Sequence, residues 1–170
     1  SPVGPVFDGL PSAFVKGINL LDRWRVVDND LGVPAQWGGD TILVIDSLTF
    51  LSDAAYNWAD SMNPGAKDKR QIYGAAQGAI ENVLALLTGE SFGTNVIVIS
   101  HVKYMERPDG STKGYPTAVG AALSPTIPRY FNTVALCQTQ AGGKRTIQTA
   151  PTALIDLANP APFAMAKSYP

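Results

Sequence analysis

Two short apolar runs in the sequence end on polar side chains that could bind a metal ion or a nucleotide. Residues 42–45 read Ile-Leu-Val-Ile and lead directly into Asp46 and Ser47. Residues 95–100 form a second such run, which leads into His101. A carboxylate at a strand end can hold a water ligand of Mg²⁺ beside nucleotide phosphates. The pattern predicts Asp46 as a metal ligand and Asp46 with Ser47 as cofactor-binding residues; in the structural alternative, Asp46 caps the next helix.

The elements around these runs determine whether their ends meet. Consecutive branched apolar residues are typical of a parallel strand that is buried on both faces. Between the two runs, apolar residues at helical spacing predict helices over residues 48–61 and 69–87. A strand, a helical crossover and a second strand form a parallel pair, and ligands bind beyond the carboxyl ends of such strands. We therefore expect Asp46 and His101 to lie at one edge of a sheet.

The other elements are predicted from capping residues, turn residues and alternation. They are a helix over 13–24 capped by Ser12, a polar loop over 28–32, a mobile loop over 102–117, a short helix over 118–123, a strand over 130–138, a turn at 141–143, an antiparallel strand over 144–149, and irregular segments over 1–11 and 151–170.

Composition limits the class of protein. The chain has 170 residues, 45% of them hydrophobic and 16% charged, which predicts one globular domain over residues 1–170. Its formal net charge of −1 provides no overall basic field, so any contact with nucleic acid needs a local patch. The one cysteine, Cys137, cannot form an internal disulfide. No apolar run approaches membrane-spanning length, and we expect a cytoplasmic protein without membrane contacts.

The segment 102–117 contains such a local basic patch. Three cations alternate with two aromatic residues, a combination that can hold phosphates and stack bases of single-stranded DNA. The predicted DNA-binding residues are Lys103, Tyr104, Arg107, Lys113 and Tyr115. Glu106 and Asp109 dilute the positive charge, so an ordinary solvated loop is the alternative.

The order of three short motifs resembles a known family. Residues 45–49 (IDSLT), 98–101 (VISH) and 113–116 (KGYP) are similar to phage-encoded RecA-like P-loop ATPases, some of which promote single-strand annealing and recombination. The resemblance covers about residues 37–162. It implies a three-layer α/β RecA-like core, with a mainly parallel sheet and a C-terminal antiparallel hairpin. It also implies ATP and Mg²⁺ as cofactors, single-stranded DNA as partner, and a homo-oligomer when the protein is full length.

The resemblance also assigns roles to individual residues. Asp46 matches the Walker B acid, and His101 takes the place of a polar residue that senses the γ-phosphate. Lys144 and Arg145 resemble basic fingers that act on the nucleotide of a neighbouring subunit. The predicted catalytic set is therefore His101, Lys144 and Arg145. The structural alternatives are a histidine satisfied by the backbone and an exposed pair of cations beside a hairpin turn.

The phosphate-binding motif G-x-x-x-x-G-K-[ST] does not occur in this sequence. The resemblance therefore implies the C-terminal part of a core whose N-terminal part is missing. We expect an ATPase only if an upstream Walker A segment completes it, and an inactive chain otherwise. One alternative is a non-catalytic RecA-fold module that binds DNA or a subunit. Another is a Ser/His hydrolase, suggested by Ser47 in the run IDSL, although Ile45 replaces the glycine that such a block requires.

Overall fold

A computed structural model describes residues 11–170, which form two compact units. Unit 1 comprises residues 11–101 and 117–123, and unit 2 comprises residues 102–116 and 124–170. The irregular segment that the sequence predicts at the beginning of the chain falls almost wholly on residues 1–10, outside the described residues. No helix within residues 11–170 has both the length and the apolar character needed to cross a membrane.

The elements follow one another in a mixed α/β order. They are α1 (Pro11–Asp22), β1 (Trp24–Val26), β2 (Asn29–Gly32), a 3₁₀ helix (Pro34–Gln36), β3 (Ile42–Asp46), α2 (Leu48–Met62), α3 (Lys69–Thr88), β4 (Asn95–Ile99), β5 (Val102–Glu106), β6 (Thr112–Pro116), a 3₁₀ helix (Ser124–Tyr130), β7 (Leu136–Thr139), β8 (Arg145–Gln148) and β9 (Ser168–Tyr169).

Helices α2 and α3 of unit 1 confirm the predictions made from periodicity. Helix α1 forms but begins at Pro11 and ends at Asp22, so the predicted cap Ser12 lies inside the helix and Trp24 belongs to β1. Helix α2 begins after Ser47, and α3 begins after Asp68, whose carboxylate accepts a hydrogen bond of 2.9 Å from the Arg70 amide. Their apolar faces bury side chains that water would otherwise surround, and this burial is the main stabilisation of such helices. The buried apolar residues of α2 and α3 are Leu48, Leu51, Ala54, Ala55, Ala59, Ile72, Ala76, Ile80, Val83, Leu84 and Leu87.

The predicted polar loop over 28–32 is wrong. Strands β1 and β2 form an antiparallel hairpin there. The turn contains Val27 with a φ of 51° in place of the Asn-Gly pair that is typical of such a hairpin, and this is why the hairpin was not predicted. Asp30 accepts hydrogen bonds from the guanidinium groups of Arg23 and Arg25, which hold the pKa of this carboxyl far below its usual range.

Strands β3 and β4 are parallel and in register, with Ile42 opposite Asn95 and Asp46 opposite Ile99. The prediction that both runs are buried on both faces is wrong. Along β3 only Leu43 and Ile45 are buried, while the alternate side chains are exposed. The sequence did not reveal this alternation because both the covered and the open face carry branched aliphatic residues. We call the exposed side of this pair the open face.

Unit 2 begins with a β-hairpin where the sequence predicts a mobile loop. Strands β5 and β6 pair antiparallel from Val102↔Pro116 to Glu106↔Thr112. Gly114 is closely packed: a Cβ there would lie 2.9 Å from the Ile155 side chain and 3.1 Å from the Tyr104 ring. The glycine permits close packing within the hairpin. The prediction that this segment is an irregular loop is wrong, because it forms a hairpin. Its mobility stays a prediction.

The remainder of unit 2 matches the sequence only in part. The predicted hairpin is confirmed: β7 and β8 pair antiparallel around a turn in which Gly142 and Gly143 have positive φ. The predicted strand over 130–138 begins too early, because a 3₁₀ helix occupies Ser124–Tyr130. The predicted helix over 118–123 does not form. The final segment, predicted to be irregular, adds β9 to the edge of β8.

The mixed α/β class is thus correct, but the predicted mainly parallel sheet is not what the described residues form. Among the named strands, β3 and β4 are parallel and the other pairs are antiparallel, in small separate sheets. The reason is connectivity. A parallel pair needs a long crossover such as α2 and α3, whereas the short turns of the β1–β2, β5–β6 and β7–β8 hairpins can only join antiparallel strands.

A buried hydroxyl in α2 allows a stability prediction. Ser52 is 1% exposed, and its Oγ has no hydrogen-bond partner among the described residues. We expect Ser52→Ala to raise the free energy of unfolding by about 1 kcal/mol, because it removes an unsatisfied buried group. Denaturant unfolding followed by tryptophan fluorescence measures the change. Ser61→Ala, on the same helix, is the control: its exposed hydroxyl donates to the Trp58 carbonyl, and its removal should change stability by less than about 0.5 kcal/mol. A less stable Ser52→Ala protein would contradict the prediction.

Candidate functional site

The polar residues that end β3 and β4 lie at one edge of the parallel pair, as the sequence predicts. Asp46 is the last residue of β3 and lies opposite Ile99, the last residue of β4. Ser100 and His101 follow immediately. Since both strands run in the same direction, their carboxyl ends face the same side of unit 1, where ligands of open α/β sheets bind.

Asp46 is placed to meet a ligand. Its side chain is exposed on the open face, and it forms no hydrogen bond or ion pair with any residue in the range 11–170. A carboxylate with all its lone pairs free can accept hydrogen bonds from the water ligands of a metal ion.

Ser47 is placed differently from the cofactor-binding position that the sequence predicts. Its side chain is 1% exposed, and its Oγ accepts a hydrogen bond of 3.5 Å from the Phe50 amide as the N-cap of α2. The peptide bond between Asp46 and Ser47 is cis. The geometry therefore gives Ser47 a capping position and leaves Asp46 as the exposed polar group at the end of β3.

Thr49 is the centre of a hydrogen-bond cluster that sequence reasoning missed. Its Oγ1 accepts a bond of 3.2 Å from the His101 amide and lies 3.1 Å from His101 Nδ1. The same oxygen lies 3.4 Å from Ser100 Oγ and 3.4 Å from the Thr117 carbonyl. Ser100 Oγ donates to that carbonyl at 3.0 Å, and the Thr117 amide donates to the His101 carbonyl at 2.8 Å. We call these four residues the Thr49 cluster.

The Thr49 cluster fixes the side chain of His101. The ring stands edge-on to Phe50, with 5.8 Å between the ring centroids. The Thr49 hydroxyl has one proton, and its possible acceptors include Nδ1 at 3.1 Å and the Thr117 carbonyl at 3.4 Å. When it donates to Nδ1, the ring proton lies on Nε2. The exposed Nε2–H can then donate to an anion. The His101 ring is thus bonded to a side chain and not only to backbone groups, and the sensing role stays a prediction.

The five predicted DNA-binding residues all lie on the β5–β6 hairpin, but their availability differs. The Lys113 ammonium forms an ion pair with Asp156, and only 15% of its side chain is exposed. Arg107 Nε donates to the Tyr115 hydroxyl at 3.1 Å, which raises the pKa of the guanidinium. Lys103 is exposed and has no partner among the described residues.

Tyr104 completes the set. Its ring is 56% exposed, and it lies on strand β5 directly after Lys103. The hairpin therefore presents one exposed cation and one exposed ring, while the other three predicted contacts support its own structure.

Lys144 and Arg145 lie where the sequence predicts, at the end of the β7–β8 turn. Both side chains are exposed, and neither forms an ion pair with any residue from 11 to 170. They belong to unit 2, whereas Asp46 and His101 belong to unit 1. Two unpaired cations beside a turn are available to an anion from another molecule.

The bond made by His101 argues against a Ser/His hydrolase. The ring is hydrogen bonded to Thr49 and not to Ser47, and Ser47 Oγ is buried at the start of α2. A nucleophilic serine needs an accessible hydroxyl within reach of its base. Neither condition is met here.

Thr49 and Thr117 are the site residues that the sequence did not reveal. Thr49 occupies the second position of a helix, where a threonine normally attracts no notice, and Thr117 lies 68 residues further along the chain. The one indication in the sequence was the position of the Thr49 hydroxyl, about one helical turn after Asp46 at the end of β3. Only the fold brings it to the end of β4.

Comparison with known proteins adds no assignment. No family model matches this chain, and neither a curated protein nor a solved structure matches it. Among residues 11–170, no group of three or more His, Cys, Asp or Glu side chains is arranged to hold a metal ion. The chemistry of the site therefore has to be argued from Asp46, His101 and the Thr49 cluster.

Proposed function

We propose that this chain is part of an ATP-dependent, DNA-binding recombination or annealing protein of RecA type, in which unit 1 binds Mg-ATP and unit 2 binds single-stranded DNA. The observation that supports this function best is the shared edge of β3 and β4, which brings a free carboxylate and an oriented imidazole to the ligand-binding side of a parallel pair. A three-layer RecA-like core and a cytoplasmic location belong to the same proposal.

The nucleotide end of the proposal rests on Asp46. Its exposed carboxylate fits a water-mediated contact to Mg²⁺, whereas the buried Ser47 hydroxyl does not fit a direct one. When bound, Mg²⁺ would neutralise charge on the phosphates. His101 Nε2–H would donate to a phosphate oxygen, oriented by Thr49 at Nδ1.

The Thr49 cluster gives the proposal a physical link between nucleotide and DNA. His101 directly precedes β5, and Thr117 directly follows β6, so the cluster holds both ends of the hairpin segment. A displacement of the His101 ring by a phosphate would act on the hydroxyl that also bonds the His101 amide. Such a shared hydrogen bond can transmit the presence of a nucleotide to the root of the hairpin.

The assembly part of the proposal concerns Lys144 and Arg145. Their unpaired charges would act on the nucleotide of a neighbouring subunit in a homo-oligomer. Fixed positive charge lowers the energy of a transition state in which a phosphoryl group becomes more negative. A non-catalytic RecA-fold module is the second candidate, and it is favoured by the absence of a phosphate-binding motif from this sequence.

The nucleotide prediction compares two acids at opposite ends of β3. We expect the chain to bind a fluorescent ATP analogue weakly, and Asp46→Asn to lower its affinity about tenfold in Mg²⁺ but not in EDTA, because the carboxylate acts through the metal. Fluorescence titration measures both affinities. Asp40→Asn, which changes an exposed carboxylate just before β3, should behave like the wild type. An equal loss in both variants, or none, would contradict the proposed site.

The DNA prediction separates two lysines of the hairpin. Lys103→Ala should weaken binding of labelled single-stranded DNA and reduce the slope of log affinity against log salt by about 0.7, because one fewer phosphate is neutralised. Lys113→Ala should leave that slope unchanged, since Lys113 is already paired with Asp156. Fluorescence anisotropy across a salt series measures both quantities. If the two variants lose the same slope, the ion pair does not withhold Lys113 from DNA.

A further inference from the structure

The open face of the β3–β4 pair carries exposed aliphatic side chains of a kind that is usually buried in a parallel sheet. Four branched side chains point outward: Ile42 is 55% exposed, Val44 48%, Ile97 48% and Ile99 44%. Their register pairs Val44 with Ile97 at the centre, with Ile42 at one end and Ile99 at the other. They therefore form one contiguous apolar patch and not scattered surface residues, and such patches mark interaction sites.

The parallel geometry indicates what kind of element covers this patch. Parallel strands occur almost only in sheets whose two faces are both covered by helices. The opposite face meets this rule, because Leu43 and Ile45 are buried in the core of unit 1. An added strand would pair with an edge of β3 or β4 and would leave the patch exposed. For parallel strands, a helix is the element that usually covers a face.

Charge identifies the chemistry of that helix. The two strands carry no lysine or arginine, and an acid lies at each end of β3: Asp40 two residues before it and Asp46 as its last residue. Neither carboxylate forms an ion pair with a residue in the range 11–170. The open face thus carries Asp46 at one end of its apolar middle, and Asp40 lies two residues beyond the other end of β3 in the chain.

We propose that the open face is a docking surface for an amphipathic α-helix with an aliphatic stripe and a basic residue near each end of that stripe. Five strand residues extend about 17 Å, the length of about eleven helical residues or three turns. A leucine or isoleucine at every third or fourth position would meet the patch, and lysines at the two ends would meet Asp40 and Asp46. The proposal rests on the open face and does not depend on the nucleotide-binding function.

The test uses the complete chain and a synthetic peptide. The peptide has about 18 residues, enough to form a helix, with leucines along one face and lysines at both ends of the stripe. A second peptide replaces the lysines with glutamates. Anisotropy of the labelled peptides is measured in EDTA, without nucleotide, so that metal binding at Asp46 plays no part. The lysine peptide should bind at least about tenfold tighter at low salt, and the difference should shrink as salt rises.

Protein variants locate the binding surface. Val44→Lys should weaken binding of the lysine peptide at least about tenfold, because it places a cation at the centre of the patch. Ile42→Lys at the end of the patch gives a second reading if Val44→Lys fails to fold, as judged by circular dichroism. Leu86→Lys is the matched control: it changes an apolar residue of α3 that is 42% exposed, and it should bind like the wild type.

Several results would overturn the proposal. These are the absence of peptide binding, equal affinity for the lysine and glutamate peptides, and an equal loss of affinity in Leu86→Lys and Val44→Lys. A fourth is a dimer of the chain in sedimentation velocity that Val44→Lys dissociates, because a second copy would then be the occupant of the face. Loss of nucleotide binding in Asp46→Asn, with peptide binding unchanged in Val44→Lys, would leave the proposed function standing and remove this one.

Discussion

Replacing Gly120 with alanine should lower the free energy of unfolding of unit 1 by about 2 to 3 kcal/mol. Gly120 has a φ of 72°, a conformation that costs a residue with a Cβ about 1 to 2 kcal/mol. Its added Cβ would also overlap Gln77 Nε2, so the amide must move. The move breaks the hydrogen bond of 3.3 Å from that nitrogen to the Val119 carbonyl, which adds about 1 kcal/mol.

Two comparisons separate these causes. Denaturant unfolding followed by tryptophan fluorescence reports on unit 1, which contains all three tryptophans, Trp24, Trp37 and Trp58. In a Gln77→Ala background, Gly120→Ala should cost only the part due to its φ. Gly78→Ala is the opposite control: nothing lies within 4 Å of its Cβ position, and in the middle of α3 it should stabilise by about 0.5 to 1 kcal/mol. If Gly120→Ala is as harmless as Gly78→Ala, the contact between residue 120 and α3 is not formed.

Replacing Thr49 with valine should lower the free energy of unfolding by about 2 kcal/mol and release the His101 ring. Valine keeps the shape of threonine but removes the oxygen that bonds the His101 amide and Nδ1. The partially buried polar groups left without a partner account for the cost. Thr49→Ser retains the hydroxyl and should restore most of the stability, which separates the hydrogen bonds from the packing of the methyl group.

The chain contains one histidine, so its ring can be followed without assignment problems. We expect Thr49 to donate to Nδ1, which is nearer than the Thr117 carbonyl, so nitrogen NMR should find the ring proton on Nε2 in the wild type. In Thr49→Val the Nδ1–H tautomer should gain population. An unchanged tautomer in a destabilised protein would mean that Thr49 contributes to the fold and does not orient His101.

The sequence predicts the helices of unit 1 well because their apolar residues follow a period that no other structure satisfies. The strands β3 and β4 were located from the same kind of pattern, but their environment was not. Ile42 and Val44 are as apolar as Leu43 and Ile45, so a run of four such residues reads the same whether one face or both faces are covered. Whether a face of these strands is covered depends on the elements packed around them, and the sequence of the strands alone does not show this.

The β5–β6 hairpin was missed for a different reason. Its charges and glycines are typical of a loop. In the structure, however, Gly114 packs closely against Tyr104 and Ile155, and Lys113 forms an ion pair with Asp156. Ile155 and Asp156 lie about 40 residues further along the chain than Gly114 and Lys113. Local residue types cannot show such contacts. The same limit concealed Thr49, whose partners at positions 100, 101 and 117 are brought to it by the crossover.

The route of the chain between the two units has a consequence for the order in which a ribosome can complete them. The chain leaves unit 1 after His101, returns at Thr117 and leaves again after Leu123, and the returning stretch supplies Val119 and Leu123 to the buried core. Unit 1 therefore cannot close when its first 101 residues have been made. At a synthesis rate of about 5 to 20 residues per second, it must wait about 1 to 4 seconds for the remaining residues. During that interval the core of unit 1 lacks Val119 and Leu123, and Gln77 of α3 lacks the Val119 carbonyl to which it donates. The nascent chain, more than the finished protein, is therefore the form most in need of a chaperone.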